Sequence, residues 1–317
     1  MKMTKKIIKN LILVLIVAVI GAGAFIFGGK MKEEITIKVK FFNLKYTLEC
    51  GQCFRWKEVE EEENTYIGVI KDRVIKIKQE EDKLLVRSNN MENLEQVVTE
   101  YFDLNKDYQK IEQEISSIDN HVKEAVKRSS GLRLLNQDFF ETLISYIISA
   151  NNNIPRISKS VNEISKRYGK KIIFENEEYY LFPTAQELEN VSIDEYRKCG
   201  VGFRDSYIYS TVKDILEGKF DIYSINDKKT ATLRKELLNL KGVGPKVADC
   251  ILLFACGRGE VFPIDVWVER VMSVLYFKET NGKMKKRDIL EYAYNNFKDY
   301  AGIVQQHLFY NMREKMI

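Results

Sequence analysis

Histidine is almost absent from the chain. His121 and His307 are the only two in 317 residues, which argues against a histidine-based metal centre or catalytic triad. Cysteine is present but odd in number: Cys50, Cys53, Cys199, Cys250 and Cys256. Irregular spacing and an unpaired fifth thiol argue against a secreted disulfide framework. Cys50-Gly51-Gln52-Cys53 has redox or half-zinc spacing, yet no second pair or histidine cluster completes it. A four-cysteine iron–sulfur run is also missing. No metal and no cofactor are therefore expected. An excess of positive charge is lacking too, although the whole-chain value of +4 suggests one. Residues 1–30 carry five lysines (Lys2, Lys5, Lys6, Lys9 and Lys30) and no acid; without them 45 basic residues face 46 acidic ones. Any surface for a polyanion must be a local patch, with the acids elsewhere.

One long hydrophobic run stands apart. Asn10 to Gly29 is uncharged throughout, and about 20 such residues suffice to cross a bilayer. The lysines before it would keep the N-terminus in the cytoplasm. Ala22-Gly23-Ala24 offers a poor signal-peptide cleavage site, and Met31 offers a second translation start. Residues 1–30 are thus an anchor, a signal peptide or a start-site artefact. The remainder is long enough for one large or two to three small domains.

From Ile35 to Arg87 the pattern is that of strands. Ile35 to Val39, Tyr66 to Ile70, Val74 to Lys78 and Leu84 to Val86 are the candidates, with charged turns at Lys71-Asp72 and Glu81-Asp82. Glu58 and the run Glu60 to Glu63 read as a solvated loop. Gly51-Gln52-Cys53-Phe54-Arg55-Trp56 reads as an apolar aromatic cluster between strands. Beyond Asn90 the chain turns helical, over Asn93 to Phe102, Tyr108 to Lys127 and Phe139 to Ala150. The last of these is apolar enough to predict burial, and Asn151-Asn152-Asn153 ends it because asparagine tolerates turn geometry. The expected architecture is α+β: an N-terminal antiparallel β-sheet domain over residues 31–130, then a mostly α-helical domain over residues 131–317.

Two further helices hold the candidate chemistry. Leu233, Leu237, Leu238 and Leu240 line one, between Ala231 and Leu240; Val247, Cys250, Ile251 and Phe254 line the next. Between them Gly242-Val243-Gly244 makes the turn of a helix-hairpin-helix, where bare backbone turns tightly and approaches a partner. Pro245 suits the first position of the second helix, whose free N–H groups favour an anion such as a DNA phosphate. Lys246 follows directly, and Asp265 lies nineteen positions downstream after Phe262-Pro263-Ile264. Taken singly, Lys246 reads as a surface lysine and Asp265 as the cap of a helix starting near Val266. Behind a hairpin and together, they suit an amine that attacks and a carboxylate that moves protons and stabilises a cationic sugar.

Gly242-Val243-Gly244-Pro245-Lys246-Val247-Ala248-Asp249-Cys250 with Pro263-Ile264-Asp265 resembles the helix-hairpin-helix DNA glycosylases, and most the 8-oxoguanine DNA glycosylase/AP lyases. The resemblance runs from about Ile35 to the C-terminus. It implies an enzyme that flips 8-oxoguanine, paired with cytosine, out of duplex DNA. Lys246 would then attack C1′ of the deoxyribose while Asp265 stabilises the sugar, and a Schiff base would permit β-elimination. Gly51 matches a glycine whose carbonyl meets the damaged base. Oxidation turns N7 of guanine from acceptor to N–H donor, which a buried carbonyl can detect. Gln305 and Phe309, one turn apart, match the reader of the base's Watson–Crick edge and the ring stacked on its plane, with Cys250 covering the other side. His307 lies off that face and is expected to be exposed. Asn151 matches the residue that fills the gap left by the extruded base. Arg156 and Arg204 match the readers of the estranged cytosine, whose O2 and N3 are acceptors. Phe203, on the Gly200-Val201-Gly202 turn, matches the wedge that replaces a lost stacking partner. Gly242 and Gly244 would meet the DNA backbone. Trp267 stands where the family commonly has a histidine near a phosphate, a contact an indole N–H can replace.

The implied partner is double-stranded DNA containing 8-oxoguanine, bound by a monomer in the cytoplasm at the nucleoid; a membrane enters only if residues 1–30 are real. Three other readings remain: a glycosylase for another damaged purine such as an alkylated one, a non-catalytic DNA-binding hairpin protein, and a membrane-anchored protein whose glycosylase body serves something else. An intracellular substrate conflicts with export, and a start at Met31 removes the conflict. On that reading mass spectrometry of the native protein finds Met31 at its N-terminus; a peptide containing earlier residues overturns it.

Overall fold

The alternation that begins at Ile35 becomes a five-stranded sheet. The computed structural model describes residues 34–280 and 284–315. In chain order come β1 (Ile35–Lys38), α1 (Leu44–Glu49), β2 (Lys57–Glu58), β3 (Thr65–Ile70), β4 (Arg73–Glu80) and β5 (Lys83–Ser88), with sheet order β1-β5-β4-β3-β2. The pairs β2–β3, β3–β4 and β4–β5 are antiparallel. Ile70 faces Arg73 and Glu80 faces Lys83, so the chain reverses at the two predicted charged dipeptides. The hydrophobic run of residues 10–29 lies outside the described residues. Among those described, no helix is long and apolar enough to cross a membrane.

The helices follow: α2 (Leu94–Tyr101), α3 (Tyr108–Ser116), α4 (Asn120–Arg128), α5 (Phe139–Ser149) and α6 (Ile154–Tyr168). The single helix expected over Tyr108 to Lys127 is two. Asp119 breaks it, because its carboxylate accepts from the backbone N–H groups of His121 and Val122 at 2.7 and 2.8 Å and so starts a new helix. A small hairpin, β6 (Lys171–Phe174) with β7 (Glu177–Tyr180), was not foreseen. The chain then continues through α7 (Ile193–Tyr196), α8 (Asp205–Leu216), α9 (Thr230–Leu237), α10 (Pro245–Cys256), α11 (Val266–Leu275), α12 (Lys286–Asn296) and α13 (Ala301–Arg313).

The apolar stripes fill two cores. One gathers side chains of α5, α6, α8, α9 and α10; the other gathers α3, α4, α11, α12 and α13. Burial of each large aliphatic or aromatic side chain contributes roughly 1.5–3 kcal/mol, and α5 is buried on nearly every side, as its composition predicts. Leu134 packs against both cores.

Two buried polar side chains tie the sheet region to these helices. Gln52 donates to the carbonyls of Thr47 and Arg133, each at 2.8 Å, and accepts from the N–H of Leu135 at 2.9 Å. Arg133 donates to the carbonyls of Asp103 (2.7 Å), Lys106 (3.1 Å), Lys40 (3.0 Å) and Phe41 (3.3 Å), while its guanidinium lies 4.5 Å from the centre of the Tyr108 ring. Bonds to a charged donor are worth about 1.5–3 kcal/mol, and orphaned carbonyls add their desolvation cost. Arg133→Met is expected to lower the unfolding free energy by at least about 3 kcal/mol. Denaturant titration of variant and wild type checks this; a loss under about 1 kcal/mol contradicts it.

Candidate active site

The hairpin forms because its backbone has no room for side chains at one glycine. Gly242 has φ of 85°, and a Cβ there would fall 2.5 Å from the Tyr207 ring. Gly244 is different: a Cβ would meet nothing within 4 Å, so this stretch of backbone faces open space. Pro245 opens α10, and no side chain caps that helix start. Arg234 of α9 grips buried Asp249 of α10 through two bonds, at 2.6 and 3.2 Å, and so sets the angle of the hairpin.

Lys246 is half-buried on the first turn of α10. Its Nζ donates to Ser149 Oγ at 3.2 Å and lies 5.0 Å from the centre of the Tyr146 ring, both on α5. Burial pushes the Cys250 thiol up to about 12, with the charge of Lys246 opposing and that of Asp265 reinforcing the shift. Burial likewise raises the Tyr146 hydroxyl, and Cys250, Cys53, Cys50 and Asp265 add to it. Lys246, Cys250, Tyr146 and Asp265 thus lie close enough for their charges to act on one another. Asp265 Oδ1 accepts from Trp267 N at 3.0 Å and Val268 N at 2.9 Å, so it caps α11, as expected of Asp265 taken singly. Its second oxygen takes no part in that cap. Among the described residues no ion pair joins Lys246 to Asp265.

The residues matched to base recognition also converge. Gly51 has φ of 81°, and a Cβ there would lie 3.2 Å from Phe309 Cε1 and 3.1 Å from Arg313 Nη1. Phe309 lies on α13 with Arg313 over its ring at 5.6 Å, and Arg313 also donates to the Glu49 carbonyl. Gln305 is buried rather than solvated, and the amide of Gln306 donates to its Oε1 at 2.8 Å. That bond couples the orientation of the two amides.

His307 corrects the expectation of exposure. It is fully buried, because α13 is enclosed from Ala301 to Met312 and offers no solvent face. Ser129 Oγ lies within hydrogen-bond distance of both Ala125 O, at 2.9 Å, and His307 Nδ1, at 2.8 Å. His307 Nε2 lies 4.0 Å from Glu112 Oε1, which accepts from Gly131 N at 2.7 Å.

On the outer side, Asn151 is exposed with φ of 52°, just past the end of α5. Arg156 is exposed on α6, and Phe203 is 56% exposed beside the Tyr207 ring. Arg204 is only 5% exposed. Its guanidinium donates to the carbonyls of Ala150 (2.9 Å), Asn151 (2.9 Å) and Val201 (3.0 Å), with Phe203 stacked on it at 4.3 Å. Burial and the nearby Arg156 charge lower its pKa. Trp267 is half-buried at the start of α11, under the Arg270 guanidinium at 5.0 Å. Sequence reasoning missed Ser149, Tyr146, Gln306 and Arg313. The first two sit three apart on α5, but nothing local shows that they face a lysine 97 positions away.

Two family models match. Residues 34–143 fit the 8-oxoguanine DNA glycosylase N-terminal domain, and residues 144–295 fit the HhH-GPD superfamily of base excision DNA repair proteins. The chain is 31% identical to a probable N-glycosylase/DNA lyase of Methanothermobacter thermautotrophicus over 314 residues, covering 87% of this chain and 95% of that protein.

The chain belongs to the 8-oxoguanine DNA glycosylase/DNA lyase family.

It is 29% identical to an N-glycosylase/DNA lyase of Arabidopsis thaliana, over 88% of this chain and 82% of the relative. Among solved structures it resembles the 8-oxoguanine glycosylase/lyase of Clostridium acetobutylicum in complex with double-stranded DNA containing cytosine opposite 8-oxoguanine. That likeness has a TM-score of 0.85 and 37% identity, over 90% of this chain and 97% of the other. As a member of this family the chain is a DNA glycosylase and DNA lyase.

The buried pair has a pH signature. Burial raises Glu112 from 4.5 to about 7 and lowers His307 from 6.5 to about 3. The raised carboxyl contributes stability that is lost as pH climbs from 4.5 to 7. The lowered imidazole contributes stability that is lost as pH falls from 6.5 to 3. Between 4.5 and 6.5 the two slopes cancel. Glu112→Gln keeps the acceptor for Gly131 and leaves His307 alone, so the variant should lose stability from pH 6.5 down to 4.5 relative to wild type, by on the order of 2–3 kcal/mol at most. Denaturant unfolding at pH 6.5 and 4.5 checks it, and parallel pH dependences contradict it.

Proposed function

We propose that this enzyme excises 8-oxoguanine opposite cytosine from duplex DNA and then nicks the abasic site through a Schiff base on Lys246. The observation that carries this is the placement of Lys246: an amine on the first turn of the second hairpin helix, in the neighbourhood of Asp265, Cys250 and Tyr146. Open backbone at Gly244 and the uncapped start of α10 suit a DNA phosphate. Trp267 would add an indole N–H to the backbone grip.

Asn151 and Phe203 are exposed where a duplex would lie, and suit filling the gap and wedging the stack. Arg156 and Arg204 are like charges close together, and among the described residues neither has a carboxylate partner. Cytosine, with adjacent acceptors at O2 and N3, fits between them. Arg204 would use the Nη1 hydrogen that Val201 does not take. The flipped base would meet the Gly51 carbonyl, the Gln305 amide, and the Phe309 ring and Cys250 on its two faces.

In the reaction the neutral amine of Lys246 bonds to C1′ as the C1′–N9 bond breaks, and the bonding electrons leave with the base, which takes up a proton. Asp265 faces the positive charge on the sugar and accepts the proton that the nitrogen sheds. Opening of C1′–O4′ by the nitrogen lone pair, with O4′ taking up the proton that Asp265 holds, yields the iminium. Loss of a C2′ proton then expels the 3′ phosphate, cutting the strand 3′ to the lesion. The scheme needs no cofactor. Its setting is chromosomal DNA, hence the cytoplasm.

Lys246→Gln should abolish both excision and the adduct trapped by borohydride, while binding to duplex with an abasic analogue persists. Incubation with single-lesion duplexes and gel analysis test this. A trapped adduct in the variant removes Lys246 from its role, and faster release of 3-methyladenine than of 8-oxoguanine displaces the proposed substrate.

A further inference from the structure

Lys246 makes one contact that the proposed chemistry leaves unused. Ser149 ends α5 and is buried, with its Oγ 3.2 Å from Lys246 Nζ and 2.7 Å from the carbonyl of Tyr146. A carbonyl cannot donate, so the single hydroxyl hydrogen of Ser149 goes to Tyr146 O. Toward Lys246 the hydroxyl can only accept. An ammonium offers three hydrogens; a neutral amine offers two and a lone pair. In both forms one N–H points at Ser149, and in the neutral form the lone pair must point elsewhere. The Tyr146 ring occupies a second side of the nitrogen, 5.0 Å away at its centre. The titratable groups facing this nitrogen from other turns are Cys250 on α10 and Asp265 at the start of α11.

We propose that Ser149 is a positioning residue for the reaction: its committed hydroxyl holds one N–H of Lys246 and so turns the lone pair away from α5, toward the sugar. This deepens the lysine reading made above and rests on it. The need is physical. A lysine amine sits on a flexible four-carbon stem, and a nucleophile displaced by about 1 Å can lose on the order of a hundredfold in rate. Among the described residues no ion pair to Asp265 restrains the amine; the Cys250 thiol bonds it from its own helix, and the hydrogen bond that holds it from outside α10 comes from Ser149 on α5. The bond from Ser149 to the carbonyl three residues back is the pattern a threonine also makes in helices, which separates position from packing.

The test compares wild type, Ser149→Ala and Ser149→Thr in single-turnover excision from an 8-oxoguanine:cytosine duplex, in borohydride trapping and in duplex binding. Ser149→Ala should bind duplex within about twofold of wild type yet lose about ten- to a hundredfold in excision and trapping rate. Ser149→Thr, which restores the acceptor, should recover most of that loss. A Ser149→Ala rate equal to wild type overturns the proposal. So does a folded Ser149→Thr as slow as Ser149→Ala, since the loss then belongs to packing. A wild-type chain that is never trapped overturns the lysine reading and this proposal with it, whereas a trapped wild type beside an unaffected Ser149→Ala removes Ser149 alone.

Discussion

Gln52 is wholly buried, and both ends of its amide are occupied: the nitrogen by the carbonyls of Thr47 and Arg133, the oxygen by the N–H of Leu135. Its own carbonyl accepts from Gln137 Nε2 at 2.6 Å and from the Tyr146 hydroxyl at 3.3 Å. In a low-dielectric interior a network satisfied to this degree specifies one arrangement, because any slip strands a buried polar group. The arrangement has consequences on both sides. It holds Gly51 against Phe309 and Arg313, and it ties α5 at Tyr146, one face of which lies under Lys246. Gly51 with Phe309 on one side and Lys246 on the other are thus registered to each other through one loop.

Charge is handled locally in the same spirit. On the sheet side acids are matched: Lys76 pairs with Glu62 and Glu175, and Arg87 pairs with Glu175 at 2.9 Å. On the side of Asn151 and Phe203, Arg156 and Arg204 stand close together, and among the described residues neither has a carboxylate partner. A chain with no net positive charge outside its first thirty residues can therefore still present a cationic spot, which is where electrostatics would meet a backbone or a base edge. Arg204 spends most of its donors on the carbonyls after α5, so it shapes the Asn151 turn as well as charging it.

The readings that held were those written in neighbouring residues. The two charged hairpin turns and α11 appear where periodicity and turn chemistry placed them. Asp265 was legible as a cap and is one. The misreadings have physical causes. One helix became two because Asp119 offered a better start than continuation. His307 was misplaced because facing positions on a helix reveal its outside only if the helix has one, and α13 is enclosed by its neighbours.

What the sequence determined by itself is the local grammar: strands by alternation, the hairpin by its glycines and proline, and the presence of a lysine and a carboxylate at a telling distance along the chain. Tertiary structure alone decided which groups surround them. Ser149 and Tyr146 reach Lys246, and Arg313 reaches Gly51, only once helices far apart along the chain have packed. Hydrogen bonds and ring contacts act over a few ångströms of space, whereas periodicity acts along the chain, and no pattern in one residue's neighbours encodes what arrives from a hundred positions away.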